Sequence, residues 1–320
     1  MQHTPVHPAL RSFPRRWLYA LKPASWPKLL VPATLGQVCG ALAGAPSWTA
    51  ALVGVGFTIF LLIYIALLND YGDIEVDALK RRMFPRGCSP KTIPDGILYP
   101  QSVGLAGVGA GLCAAAVALC GELALDRPGL SLMGIFCLSL LTLYTFRPLR
   151  LNYRGGGEFL EMLGVGVALP AFNAHAHGGA LSTSLLAILP GLAILALASA
   201  IASGLADEQT DRLGGKVTYV TEYGNHAARS AVENLVLGAV VLWVMAARLA
   251  DALPALGVTP AVAVVLIYWR KLSLVSPRAR VGEFSAISEY KRHLHRGTWL
   301  GTLALALALA LNSWLLEHAL

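Results

Sequence analysis

The stretch Asn69-Asp70-Tyr71-Gly72-Asp73-Ile74-Glu75-Val76-Asp77 follows twenty mostly apolar, uncharged residues at 49–68. Four acidic side chains therefore arrive within eight residues at the edge of a predicted membrane span, where carboxylates are energetically costly. On a continuing helix Asn69, Asp73 and Asp77 would share one face, because they are spaced four residues apart. Two interpretations follow: a solvated helix end, or a site for Mg²⁺ or Mn²⁺ built from oxygen ligands.

The composition is that of an integral membrane protein. Of the 320 residues, 56% are hydrophobic and only 13% are charged, whereas a soluble domain carries about 25% charged residues. Several uncharged runs reach the roughly 20 residues needed to cross a bilayer as a helix, and none alternates as a strand would. We predict an all-α membrane protein in which a cytoplasmic tail, 1–28, precedes a single transmembrane domain, 29–320. About nine spans are predicted, at 29–47, 49–68, 101–120, 130–147, 158–177, 181–203, 230–249, 253–270 and 297–316.

The basic residues predict which side each loop occupies. All but Arg127 and Arg248 of the 25 Lys and Arg residues fall in the N-terminal tail or in loops after even-numbered spans. Because Lys and Arg concentrate in cytoplasmic loops, we predict a cytoplasmic N-terminus and long cytoplasmic loops that carry the chemistry. The net charge of +7 is explained by this topology and requires no nucleic-acid partner. The five cysteines lack C-x-x-C spacing, so neither a disulfide framework nor a zinc site is predicted.

A second acidic pair follows the sixth predicted span. Asp207 and Asp211 again stand four residues apart, and the topology places them on the same side as the first cluster. Opposed carboxylates of this kind hold metal ions that bridge phosphate oxygens. Cations that could bind a diphosphate lie in the same loops: Arg81, Arg82, Lys91, Arg212 and Lys216. Departure of pyrophosphate from an allylic carbon would leave a carbocation, which an apolar cavity would shield from water.

These motifs resemble those of a known family. Asn69-Asp70-x-x-Asp73-x-x-x-Asp77 matches the NDxxDxxxD motif of the UbiA superfamily of intramembrane prenyltransferases. Asp207-x-x-x-Asp211, followed by Gly215-Lys216-x-Thr218, resembles the second motif of that family. The likeness runs from Lys22-Pro23 to the ninth span. It implies nine transmembrane helices around a central cavity, with the two motif loops forming a cytoplasmic cap.

The resemblance also implies an activity and a site. The activity is Mg²⁺-dependent transfer of a polyprenyl chain from its diphosphate to an acceptor, usually aromatic, within a lipid membrane. A bacterial inner membrane is the expected location. The expected catalytic and metal-binding residues are Asp70, Asp73, Asp77, Asp207 and Asp211. The expected diphosphate contacts are Lys91, Lys216 and Arg81, with Asn69 supporting the metal ligands.

A third stretch bears on the acceptor. Tyr144-x-x-x-Pro148-Leu149-x-x-x-Tyr153-Arg154-Gly155-Gly156-Gly157-Glu158 looks most like the menaquinone-pathway branch, which prenylates dihydroxynaphthoate. That likeness makes Tyr144 and Arg154 candidate substrate contacts, and Glu158 could orient or deprotonate an acceptor hydroxyl. Glu158 could instead stabilise the N-terminus of its helix. The residues at 203–206 differ from that branch, so a related bicyclic aromatic is an alternative acceptor.

Two other functions are compatible with acidic clusters at a membrane edge. A UbiA-type terpene cyclase would ionise a prenyl diphosphate without an acceptor. A cation transporter would use the acidic clusters as a permeation site, but no charged residue lies in the middle of a span. His175-x-His177 lies on the side opposite both acidic clusters and is predicted to be interfacial. The basic run at 290–296 is predicted to face lipid or to set the topology.

Overall fold

A computed structural model describes residues 12–44, 46–85, 88, 90–178, 182–249 and 255–318. Within these ranges every regular element is helical and no strand occurs, which confirms the predicted fold class. In chain order the α-helices are α1 (Phe13–Ala20), α2 (Pro27–Ala43), α3 (Trp48–Gly72), α4 (Ile74–Met83), α5 (Pro100–Leu125), α6 (Leu130–Thr145), α7 (Gly157–Leu163), α8 (Leu169–Gly178), α9 (Thr183–Gly204), α10 (Glu208–Leu213), α11 (Tyr219–Leu249), α12 (Ala255–Val275) and α13 (Phe284–His318). A π-helical turn, Gly164–Ala168, joins α7 to α8.

Seven of the helical stretches in the described residues are long and apolar enough to cross a membrane. They are Trp48–Gly72, Pro100–Leu125, Gly157–Gly178, Thr183–Gly204, Tyr219–Arg248, Gly257–Arg278 and Phe284–Leu315. The predicted spans 29–47 and 130–147 correspond to α2 and α6, which have only 17 and 16 residues. By length and composition the structure therefore identifies seven spans, where the sequence predicted about nine.

Two helices extend well beyond their predicted spans. Helices α11 and α13 begin at Tyr219 and Phe284, whereas the apolar runs within them begin near 230 and 297. Hydropathy detects only the part of a helix that faces lipid, but backbone hydrogen bonding continues through charged residues. Gly224 interrupts α11 with φ 80°, a conformation that glycine adopts readily.

Two hydrophobic cores hold the helices together. One is built mainly from α9, α11, α12 and α13, and it contains the fully buried Trp243 and Tyr290. The other is built mainly from α3, α5, α6 and α8, where the rings of Phe57 and Phe172 stack with centroids 3.8 Å apart. Helix α2 contributes side chains to both cores. The cavity that carries the acidic clusters lies between them.

The predicted N-terminal tail is partly packed against this bundle. Helix α1 buries Ala20 in a small cluster with Leu67 and Val103. The chain then turns at Lys22, which has φ 51° and pairs with the carboxylate of Asp70. Residues of the tail therefore take part in the polar site.

Helix α2 approaches α8 closely through Gly36 and Gly40. A Cβ atom at either position would overlap the backbone of α8, at Pro170 for Gly36 and at Ala174 for Gly40. Small residues four apart let the backbones of membrane helices come close together. Both helices also contribute to the cavity wall, α2 through Leu29 and α8 through Leu169.

Gly36→Ala is expected to destabilise the protein by about 1–3 kcal/mol, because the added methyl group forces two backbones apart. The measurement is the melting temperature of the purified protein in detergent. Gly109→Ala is the matched control, since a Cβ atom on this α5 glycine meets nothing within 4 Å. The control should melt at the wild-type temperature or slightly above it. Equal melting temperatures for the two variants would contradict the α2–α8 packing.

Candidate functional site

A cavity of about 420 Å³ lies between the two cores. All five predicted metal-binding aspartates line its polar end: Asp70, Asp73, Asp77, Asp207 and Asp211. The rest of its wall is largely apolar, with side chains from α3, α6 and the π-helical turn that include Leu61, Ile65, Leu140, Leu141 and Val165. An apolar cavity with convergent polar groups at one end is the usual form of a small-molecule site.

The first acidic cluster spans the junction of α3 and α4. Helix α3 ends at Gly72, and Asp73 has φ −102° and ψ 14°, so the helix does not continue unbroken as the sequence suggested. The backbone N–H of Asp73 nevertheless donates to Asn69 O at 3.0 Å, and that of Asp77 donates to Asp73 O at 2.8 Å. This spacing keeps Asn69, Asp73 and Asp77 on the wall of the same cavity.

The second acidic cluster stands at the start of α10. Asp207 precedes this helix and Asp211 lies within it. Beyond the helix Gly215 adopts φ +76°, and the backbone N–H of Lys216 donates to Asp211 O at 2.8 Å. This tight turn, which glycine favours, returns the side chain of Lys216 to the cavity.

Lys216 bridges the two clusters. Its Nζ lies 2.9 Å from Asp73 Oδ2 and 4.0 Å from Asp211 Oδ1. Burial raises the pKa of Asp73 and raises that of Asp211 to about 7, although Lys216 acts in the opposite direction on both. Burial also opposes the charge on Lys216, but the two carboxylates outweigh it and raise the pKa of this lysine. With a pKa of about 7, Asp211 is only partly ionised at neutral pH, and further positive charge beside it would favour the ionised form.

The remaining aspartates each have a lysine partner as well. Lys91 Nζ lies 2.7 Å from Asp77 Oδ1. Lys22 pairs with Asp70, and Lys80 pairs with Asp207. Sequence reasoning identified Lys91 and Lys216 but missed Lys22 and Lys80. The one signal for Lys80 is that it follows Asp77 by three residues on α4, on the same side of the helix. Lys22 had no comparable local signal, since it lies 48 residues from Asp70.

Two predicted substrate contacts do not line the cavity. Arg81 Nε donates to Asp95 Oδ1 at 2.9 Å, and Asp95 Oδ2 accepts the backbone N–H of Lys91 at 2.6 Å. Arg81 thus holds the loop that presents Lys91 to Asp77. Arg154 is exposed and also lies outside the cavity wall.

The opposite wall of the polar end is formed around the start of α7. Tyr144, Asn152 and Glu158 all line the cavity there. Glu158 Oε1 accepts the backbone N–H of Tyr219 at 2.7 Å, which ties α7 to the start of α11. Asn152 is 1% exposed, and neither polar atom of its side-chain amide has a hydrogen-bond partner among the described residues. Such a group is costly unless a ligand or water satisfies it.

The donor set suits a hard divalent cation. Asp73 Oδ1 is buried and has no hydrogen-bond partner within the described part of the chain, while Oδ2 already faces a positive charge. In that same part, no group of three carboxylate, imidazole or thiol side chains is arranged to enclose a metal ion by itself. Mg²⁺ is usually held by one or two carboxylates together with waters and substrate phosphates. Asp73 and Asp211, which both lie beside Lys216, fit that pattern.

Comparison with known proteins identifies the family. The sequence profile of the UbiA prenyltransferase family matches residues 29–287, from α2 to the start of α13. The chain belongs to this family. Membership confirms the predicted family and the predicted enzyme class, a prenyltransferase. No curated protein sequence matched the chain.

Solved structures share the fold of this UbiA protein. A UbiA homologue from Archaeoglobus fulgidus bound to GPP and Mg²⁺ has a TM-score of 0.67 at 17% identity, over 90% of this chain and 99% of that one. The same homologue bound to DMAPP and Mg²⁺ has a TM-score of 0.66 at 17% identity, with the same coverage. A digeranylgeranylglyceryl phosphate synthase has a TM-score of 0.61 at 14% identity, over 93% of this chain and 98% of that one. At these identities the similarity establishes the fold.

Proposed function

We propose that this protein transfers a prenyl chain from an allylic polyprenyl diphosphate to an aromatic acceptor within the membrane, with Mg²⁺ as cofactor. One observation carries the proposal: two acidic clusters and their lysines converge at one end of a cavity whose remaining wall is largely apolar. The polar end suits a diphosphate with its metal, and the apolar end suits the prenyl chain. The A. fulgidus homologue of the same fold binds GPP or DMAPP together with Mg²⁺, which supports this assignment.

The residues that would bind the prenyl diphosphate have two roles. Asp70, Asp73, Asp77, Asp207 and Asp211 would hold the metal, with Asn69 beside them. When bound, Mg²⁺ supplies Lewis-acid stabilisation of the diphosphate leaving group. Lys91 and Lys216 would donate hydrogen bonds to the diphosphate oxygens and so stabilise the negative charge that builds up as the allylic C–O bond breaks. The apolar wall keeps water from the resulting carbocation.

The acceptor is assigned to the wall formed by Tyr144, Asn152 and Glu158. Asn152 offers both a donor and an acceptor to a substrate hydroxyl or carbonyl group. Tyr144 supplies an aromatic face, and Glu158 supplies a carboxylate that can orient a hydroxyl. A Cβ atom at Gly157 would lie 2.8 Å from Tyr144 Cε2, so glycine keeps this wall open.

We assign the acceptor to the class of dihydroxynaphthoate or a related bicyclic aromatic, because the residues that resemble the menaquinone branch include Tyr144 and Glu158 of this wall. We also propose that α2 and α6 complete nine spans in a bacterial inner membrane. The basic residues concentrate in the tail and in loops after even-numbered predicted spans, which supports a cytoplasmic location for the N-terminus and the acidic clusters.

The test is an assay of the purified protein with Mg²⁺ over allylic diphosphates of increasing length and over benzoate, naphthoate and quinolone acceptors, with products identified by mass. A prenylated bicyclic aromatic is the expected product. Diphosphate release with donor alone, giving a cyclic hydrocarbon, would replace the proposal with a terpene cyclase. Mg²⁺ flux in proteoliposomes without prenyl chemistry would replace it with a cation transporter.

Asn152→Ala is expected to raise KM for the acceptor about tenfold, because one or two hydrogen bonds worth about 0.5–1.5 kcal/mol each are lost. KM for the diphosphate should stay within about twofold. The melting temperature should not fall, since the amide has no partner among the described residues. Asn234→Ala is the control, because Asn234 is exposed on α11 outside this cavity. A lower melting temperature with an unchanged acceptor KM would show a structural role instead.

A further inference from the structure

A second polar cavity lies beside the first. Its volume is about 570 Å³, and it opens between α4 and the first part of α13. The Lys and Arg residues of its wall are Lys80, Lys291, Arg292 and Arg296; His295 also lines it, and the apolar residues include Phe284, Ile287 and Trp299. Most of the basic run at 290–296 that the sequence singled out therefore lines a cavity, next to the reaction site.

The positive charge of this cavity is largely uncompensated. No carboxylate occurs among the described residues that line it. Lys80 is neutralised by Asp207, which belongs to the reaction cavity. Lys291 Nζ donates to the carbonyl oxygen of Ser203 at 3.5 Å, and its charge also interacts with that of Asp207. Arg292 and Arg296 are exposed, and neither forms an ion pair with a described carboxylate.

The acidic residue in the same stretch of α13 does not supply the missing charge. Glu289 interacts instead with Arg278, 3.7 Å away, and with His293, 3.9 Å away. Lys291, Arg292 and Arg296 thus face one cavity, and the carboxylate that attracts Lys291, that of Asp207, is already paired with Lys80. Like charges so close together repel one another, and an anion bound between them would relieve that repulsion.

The position of the cavity points to a phosphate group as that anion. The cavity lies where α13 passes from its charged first part into its apolar segment, and Trp299 marks the change, as tryptophans do at membrane interfaces. Beyond it, Leu300, Leu303 and Leu307 are exposed on α13, which provides apolar surface for acyl chains. Basic pockets between membrane helices bind the phosphates of anionic headgroups.

We propose that this cavity, lined by Lys80, Lys291, Arg292 and Arg296, is a second anion site that binds a phosphate group. The phosphate can come from an anionic phospholipid headgroup or from free inorganic diphosphate. Lys80 links the two cavities, because it lines this one and its Nζ pairs with Asp207, which lines the reaction cavity. A phosphate bound here lies next to one of the two acidic clusters. The inference does not depend on the proposed acceptor or on prenyl transfer.

The test uses the full chain in nanodiscs without Mg²⁺ and without prenyl diphosphate. In one arm, phosphatidylglycerol replaces increasing fractions of the phosphatidylcholine in the nanodiscs. Native mass spectrometry then counts the phosphatidylglycerol molecules that the protein retains. In the other arm, inorganic pyrophosphate is titrated calorimetrically into protein in phosphatidylcholine nanodiscs. The variant R292Q/R296Q removes two charges from the cavity. The variant R270Q/R280Q is the matched control, since both of these exposed arginines lie outside the cavity wall.

We expect R292Q/R296Q to bind one of the two probes about 25-fold more weakly than wild type, because each basic side chain near an anionic surface contributes about fivefold. The R270Q/R280Q variant should bind as wild type does. Loss of retained phosphatidylglycerol identifies a lipid site, and loss of pyrophosphate binding identifies a site for free diphosphate. Equal binding by R292Q/R296Q and R270Q/R280Q in both arms would overturn the proposal.

Discussion

Asp73→Asn is expected to lower kcat/KM for prenyl transfer by about 10²- to 10³-fold, the usual cost of removing one charge-stabilising group from a transition state. One oxygen of Asp73 faces Lys216, and the other is buried with no described partner. Asparagine keeps the shape of the side chain but removes the negative charge that a metal requires. The loss should therefore appear in catalysis, with the fold intact.

The measurement is the initial rate as a function of Mg²⁺ concentration, and half-maximal activation should shift to a higher concentration in Asp73→Asn. Glu75→Gln is the matched control, because Glu75 is exposed on α4 and lies outside the cavity wall. The same change of charge there should leave the rate within about twofold. Wild-type turnover in Asp73→Asn, or an equal loss in both variants, would remove Asp73 from the metal site.

Lys216→Gln is expected to lower kcat/KM by about 10²-fold and to raise KM for the prenyl diphosphate. A charge-assisted hydrogen bond contributes about 1.5–3 kcal/mol, and this lysine reaches both acidic clusters. Without it, Asp73 and Asp211 are buried together with less positive charge beside them, which raises their pKa further. The rate should be measured over diphosphate concentration at saturating Mg²⁺.

The matched control is Lys271→Gln, because Lys271 is an exposed lysine on α12 whose described contact is with the ring of Tyr268, 4.9 Å away. It should behave as wild type. A second measurement distinguishes binding from folding: if Mg²⁺ replaces part of the lost charge, the melting temperature of Lys216→Gln should rise more with Mg²⁺ than that of wild type. An unchanged KM for the diphosphate would show that Lys216 only joins the two clusters.

The amino-acid sequence was sufficient for the fold class and for much of the acidic site. Long apolar runs without alternation can satisfy their backbone in lipid as helices, and the four-residue spacing within each acidic cluster places its members on one side of a turn. Both are local properties of the chain. The helix breaks at Asp73, but Asn69, Asp73 and Asp77 still line one cavity as predicted. The backbone N–H of Asp73 still donates to Asn69 O, and that of Asp77 still donates to Asp73 O.

Which residues meet across different helices was decided by the tertiary structure. Lys80 lies 127 residues from Asp207 along the chain, and no spacing rule connects them. Arg81 was predicted to contact the diphosphate, but in the folded protein its guanidinium group binds the carboxylate of Asp95. Hydropathy likewise could not show that α2 and α6 are short or that a basic stretch of α13 lines a cavity. The distinction is physical: periodicity within one helix is set by the backbone, whereas contacts between helices depend on how their surfaces fit together.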